Sequence, residues 1–79
     1  MAKARAFVLI EVNVGKAKDV AAAIGKLKGS GVESVNTVTG PYDIIAIVEG
    51  ETLNEIGELV TSKIHPIAGI SRTVTCLTI

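Results

Sequence analysis

Aromatic residues are nearly missing from this chain, which has one tyrosine, one phenylalanine and no tryptophan in 79 residues. A pocket lined by aromatic rings has little to draw on. Cysteine is as scarce: Cys76 stands alone, which excludes an internal disulfide and fits a reducing compartment. The single histidine, His65, has no second histidine or cysteine at ligand spacing, so neither a metal nor another cofactor is expected. An excess of one charge sign is also lacking, since eight basic and eight acidic residues cancel. Nucleic-acid-binding domains usually carry a basic excess, because phosphate neutralisation supplies much of their affinity. No run approaches the roughly 18 apolar residues that cross a bilayer. The segment Met1 to Arg5 has the charge of a signal peptide, but the apolar stretch after it is short and Glu11 interrupts it. A soluble cytoplasmic domain is expected, with no direct nucleic-acid or membrane partner.

What the chain has in quantity is aliphatic surface. Hydrophobic residues make up 48% of it and the mean hydropathy is +0.50. A single domain of this length, residues 1–79, buries only about 60% of its unfolded surface. With no disulfide or metal to compensate, self-association is the expected remedy.

The stretch Val38 to Val48 organises the rest. Gly40 and Pro41 predict a tight turn, and Ile44 to Val48 are apolar without a break. That pattern predicts a central strand covered on both faces. Tyr42 and Asp43 stand where turn meets strand, an aromatic beside a carboxylate. Before this stretch, Ala6 to Val14 reads as a strand with Ala6, Val8, Ile10, Val12 and Val14 on one face. Its other face carries Phe7 and Leu9 between polar ends, an apolar patch that points to a partner. Lys16 to Lys28 reads as a helix, with Val20, Ala23, Ile24 and Leu27 at i, i+3, i+4 and i+7. Val32 to Thr39 is a polar strand suited to a sheet edge. Thr52 and Glu55 form a capping box, opening a helix to about Lys63 with Leu53, Ile56, Val60 and Ile64 inward. Gly57 weakens that helix by roughly 1 kcal/mol against alanine and is expected to allow close packing on the sheet. His65-Pro66 ends it, and Ile70 to Ile79 is the last strand. The order βαββαβ gives an α+β, ferredoxin-like fold with an antiparallel sheet in order 4-1-3-2 and both helices on one face.

Most candidate chemistry has a plainer explanation. Gly29-Ser30-Gly31 leaves a helix and enters a strand, the reverse of a phosphate loop. His65 before a proline reads as a helix end, and Cys76, without a base nearby, as a small sheet residue. Glu49-Gly50-Glu51 and Glu55/Glu58 read as solvated surface. Tyr42 and Asp43 keep two readings of equal weight: a carboxylate accepting turn amides with a ring at the sheet edge, or one side of a site for a zwitterion.

Three pieces carry a family resemblance: Ala6-Phe7-Val8-Leu9-Ile10 in the first strand, Thr39-Gly40-Pro41-Tyr42-Asp43 at the hairpin, and Ala68-Gly69-Ile70-Ser71-Arg72-Thr73 entering the last strand. With this element order, nearly the whole chain resembles the effector-binding domain of the Lrp/AsnC amino-acid-responsive regulators. Those regulators carry a helix-turn-helix ahead of the domain. Only a few residues precede the first strand here, so the sequence reads as a stand-alone version and not as an enzyme. The resemblance implies dimers paired sheet to sheet through Phe7 and Leu9, closing into rings of about four or five dimers. It also implies an amino acid or related metabolite bound between dimers. By position, Gly40, Tyr42 and Asp43 would form one side of that pocket, and Thr73 and Thr75 the other. Pro41 departs from the polar residue often found there and removes one backbone donor. The resemblance further implies full-length relatives as partners in transcription regulation. Two other readings are a small dimeric monooxygenase-type enzyme, for which aromatics are too few, and a purely structural assembly module.

With no charge excess and no helix-turn-helix pattern, the purified 79-residue polypeptide is expected not to bind duplex DNA sequence-selectively. Fluorescence anisotropy checks this; salt-sensitive, sequence-selective binding would refute it.

Overall fold

The computed structural model describes residues 3–79; Met1 and Ala2, at the start of the charged N-terminus, lie outside it. The elements run β1 (Ala4–Val12), α1 (Ala17–Gly25), β2 (Val32–Thr37), β3 (Ile44–Gly50), α2 (Leu53–Leu59), a π-helical turn (Val60–Ile64) and β4 (Ile70–Leu77). The strands form one antiparallel sheet in the order β2-β3-β1-β4, the expected 4-1-3-2 arrangement.

The central pair sets the two faces. Ala6 faces Val48, Val8 faces Ala46 and Ile10 faces Ile44, and all six side chains are fully buried under the helices. Val20 and Ile24 of α1 and Ile56, Leu59, Val60 and Ile64 of the second helical segment complete that layer with Val32. No polar residue is buried among the described residues, so hydrophobic burial holds the domain together. Each fully buried Ile or Val contributes about 1.5–3 kcal/mol before entropy is counted. Alternation sends Phe7, Leu9, Ile45, Ile47, Val74 and Cys76 to the other face, which no element covers. The expectation that β3 is covered on both faces is therefore met on one face only within a single chain.

Several boundaries differ from the sequence reading, each for a local reason. β1 stops at Val12, and Val14 lies fully exposed in the following turn instead of on the buried face. The pairing with β4 slips at Glu11/Val12, a β-bulge that ends the regular alternation. Helix α1 ends at Gly25, a poor helix former, and Lys26 and Lys28 lie beyond it. Gly31 follows at φ 113°, where a Cβ would sit 2.9 Å from Leu59 Cδ2, so glycine alone fits this crossing into β2. β2 ends at Thr37 and β4 at Leu77, each two residues short of its expected end.

In the second helix, Glu55 N donates to Thr52 Oγ1 (3.2 Å) as a capping box requires. The Glu55 side chain accepts from Glu51 N at 2.9 Å. Leu53, expected inward, is 59% exposed. Gly57 does not serve close packing: a Cβ there would meet nothing within 4 Å. The segment then widens into the π-helical turn, closed by His65 N donating to Val60 O at 2.8 Å. That wider turn buries both Val60 and Ile64 and leaves His65 exposed at the rim of β4.

Asp43 has a structural task at the bulge. Its Oδ2 accepts from Val12 N (2.9 Å) and its backbone N–H donates to Ile10 O (2.9 Å). It thus supplies the acceptor for an amide where the β1–β4 ladder slips. Asp43→Ala is expected to cost about 1–3 kcal/mol by stranding that amide, while Asp43→Asn keeps an acceptor and stays near wild type. Chemical denaturation of the three proteins measures this, and equal midpoints for all would remove the carboxylate from the fold. Gly57→Ala should raise stability by roughly 1 kcal/mol, because its Cβ enters open space on a helix; a lower melting temperature would contradict that.

Candidate functional site

Two helices do not cover four strands. The α2 segment packs over β1 and β3, and β4 lies beyond the helical layer. Thr73 pairs with Ile10, Thr75 with Val8 and Leu77 with Ala6, so all three point to the helix side of the sheet. There they form one wall of a groove of about 410 Å3. Leu53, Ile56, Gly57, Val60 and Thr61 form the other wall, and His65 stands at one end. His65 Nε2 and Thr73 Oγ1 are 2.8 Å apart, one hydrogen bond whose direction follows the imidazole tautomer. The groove has the size of a small-molecule pocket. It carries an apolar end between Leu53 and Leu77 and a hydrogen-bonding end at His65 and Thr73. The π-helical turn is what brings His65 there.

The residues of the hairpin turn lie elsewhere. Gly40 is exposed at φ 141° and opens a loop whose base is closed by Val38 N donating to Asp43 O (2.9 Å). The Tyr42 hydroxyl accepts from Arg72 Nη2 at 3.3 Å, and the guanidinium lies 5.7 Å from the ring centroid. Arg72 also approaches Glu11 Oε2 at 3.6 Å. Arg72 pairs with Glu11 on the open-face side of β4, whereas its neighbour Thr73 points to the helix side. Of the five candidate ligand residues, Thr73 and Thr75 thus share one groove, and Tyr42 and Asp43 belong to the other end of the turn system. No hydrogen bond joins the two pairs among the described residues, although Arg72, which holds Tyr42, borders a small cavity with His65 and Thr73.

Phe7 and Leu9, the candidate contact residues, lie in the middle of the uncovered sheet face, Phe7 at 37% exposure beside Ile47 and Cys76. Arg5 borders that face and pairs with Glu33 at 2.7 Å; the hydrogen bond, then the charge, of Glu33 raises the Arg5 pKa above its usual value. A second cavity of about 430 Å3 lies by Glu33, Glu49, Glu51 and Glu55, but Glu33 and Glu55 are occupied by Arg5 and the Glu51 amide. Among the described residues no group of His, Cys, Asp and Glu is arranged to hold a metal ion, and no helix is long and apolar enough to cross a membrane.

His65, Gly57 and Arg72 are residues that sequence reasoning left out of the site. His65 reads as a helix stop, and only the π-helical turn sets it against β4. Gly57, without a Cβ in a helix that would favour one, was the available signal for an open wall. Arg72 was visible only as part of the run into the last strand.

Comparison with known proteins agrees with this architecture. The profile of the Lrp/AsnC ligand binding domain matches residues 5–79. An uncharacterized HTH-type transcriptional regulator from Pyrococcus furiosus is 37% identical over 73 residues, 89% of this chain and 47% of that protein. The chain spans about half the length of the curated relatives it matches. The crystal structure of TTHA0845 from Thermus thermophilus superposes with a TM-score of 0.88 at 36% identity, covering 96% of this chain and 92% of that one. The transcriptional regulator NMB0573 from Neisseria meningitidis, solved as an L-Met complex, shares the fold (TM-score 0.79, 17% identity, 96% of this chain and 49% of that one). The chain belongs to the Lrp/AsnC ligand-binding domains, a family of regulatory effector-binding domains and not of enzymes.

Proposed function

We propose that this chain binds an amino acid at a site shared between dimers, as a modulator in amino-acid-responsive transcription regulation. The observation that carries this is the division of the candidate site. Thr73 and Thr75 line a groove on the helix side of β4, while Tyr42 is held by Arg72 on the other side of the sheet. A zwitterion contacted by both halves needs the Gly40–Asp43 turn of one dimer set against the β4 groove of its neighbour. The threonine hydroxyls and His65 supply hydrogen-bonding groups, and the turn supplies Tyr42. Asp43 contributes less directly than its charge suggests, because one of its oxygens already accepts from Val12 N. The L-Met complex of the Neisseria meningitidis regulator supports an amino acid as the ligand class.

Dimers form through the open face, where Phe7, Leu9, Ile45, Ile47 and Val74 make a continuous apolar surface. A ring of four or five such dimers would set turn against groove, and a full-length regulator of the same family could enter it as a mixed partner. The size of the open face also favours a second reading, an assembly module without a ligand.

Calorimetric titration with individual amino acids tests the ligand reading. At least one is expected to bind, and Thr75→Val should weaken it about fivefold, the loss of roughly one neutral hydrogen bond. No heat with any amino acid would leave the assembly module as the function. Phe7→Glu places a charge in the sheet-to-sheet contact and should yield monomer or aggregate in light scattering. An unchanged oligomeric mass would move the interface to another surface.

A further inference from the structure

We infer that the groove between α2 and β4 receives the side chain of the bound amino acid and selects an apolar one, with Gly57 setting the room available. This rests on the amino-acid reading above and adds the class of side chain. Along the groove walls stand Leu53, Ile56, Val60 and Leu77, and the only polar side chains are Thr61, Thr73, Thr75 and His65. No acidic residue, lysine or arginine lines it. A charged side chain lying between Leu53 and Leu77 would be moved from water toward aliphatic walls with no counter-charge beside it, which disfavours it. A leucine, isoleucine or methionine side chain instead covers Leu53 and Leu77, which are 59% and 47% exposed. The hydrogen-bonding pair His65 and Thr73 lies at the opposite end, where the backbone groups of the ligand would meet it.

Gly57 marks where that side chain lies. Close packing on the sheet does not require a glycine there, since a Cβ would meet nothing within 4 Å. Helix propensity argues against it in a segment this short. Its place is on the groove wall between Leu53 and Thr61, and the missing side chain leaves that wall open. A longer residue at this position would project into the space the ligand needs without disturbing the core.

The test is a calorimetric panel of leucine, isoleucine, methionine, lysine, arginine, aspartate and glutamate against wild type, Gly57→Ala and Gly57→Met. The wild type is expected to bind at least one of the three apolar amino acids about tenfold or more tightly than any charged one. Gly57→Met should reduce that affinity about tenfold or more while melting and light scattering show an intact oligomer. Gly57→Ala, which adds one carbon, should lie between the two. Charged amino acids binding as well as apolar ones, or Gly57→Met binding its ligand like wild type, would overturn the side-chain assignment while the amino-acid reading stands. Binding confined to polar or charged amino acids would likewise overturn only the side-chain assignment, whereas absence of binding by all twenty would sink the amino-acid reading, and this inference with it.

Discussion

The pairing of β1 with β3 is the constraint on which the remaining structure depends. Its register sets Ala6, Val8 and Ile10 against Val48, Ala46 and Ile44, and all six become inaccessible beneath the helices. Once those side chains point inward, Phe7, Leu9, Ile45 and Ile47 must point outward, because strand alternation leaves no third direction. Two helices, one of nine residues and one of seven extended by a π-helical turn, cannot roof four strands. They cover the central pair and β2, and β4 remains outside. The open sheet face and the β4 groove are two consequences of this one shortage of cover.

The irregular features gather around the ends of β1 and β4. Beyond the last β1–β3 pair, Asp43 accepts from the Val12 amide, and this ties the hairpin turn to the end of β1. Just before the β1–β4 register slips, Glu11, Arg72 and Tyr42 come together on one side of the sheet. On the other side, the π-helical turn brings His65 to Thr73. Bulges and π-helical turns cost regular hydrogen bonding and recur next to functional sites. Here they place hydrogen-bonding side chains at the rim of an aliphatic domain that buries none.

Much of this architecture was legible in the residues themselves. The unbroken run Ile44 to Val48 and the alternation in Ala6 to Ile10 name the central pair, and Val20, Ile24, Ile56 and Ile64 fall at helical spacing. The polar strand after Gly31 could only be an edge. Thr52 and Glu55 mark the start of α2 to the residue, because a cap is a local hydrogen bond between near neighbours. The misreadings came where a side chain's surroundings depend on distant parts of the chain. Val14 continues the apolar alternation of β1 but falls past the bulge. Leu53 keeps the spacing of the buried helix face yet stands on the groove wall facing β4, where nothing covers it.

Element order, strand order, most of the core and the family follow from the residues alone, since period and turn chemistry are written in local spacing and composition. The division of the candidate site is settled only in three dimensions. Thr73 and Arg72 are adjacent in sequence, but the pleat sends one toward His65 and the other toward Tyr42. No local pattern announces the π-helical turn, because one extra residue in a helix is stabilised only by what Val60 and Ile64 meet in the core. The role of Asp43 was likewise open until the fold brought the Val12 amide, 31 residues away in the chain, within 2.9 Å of its carboxylate.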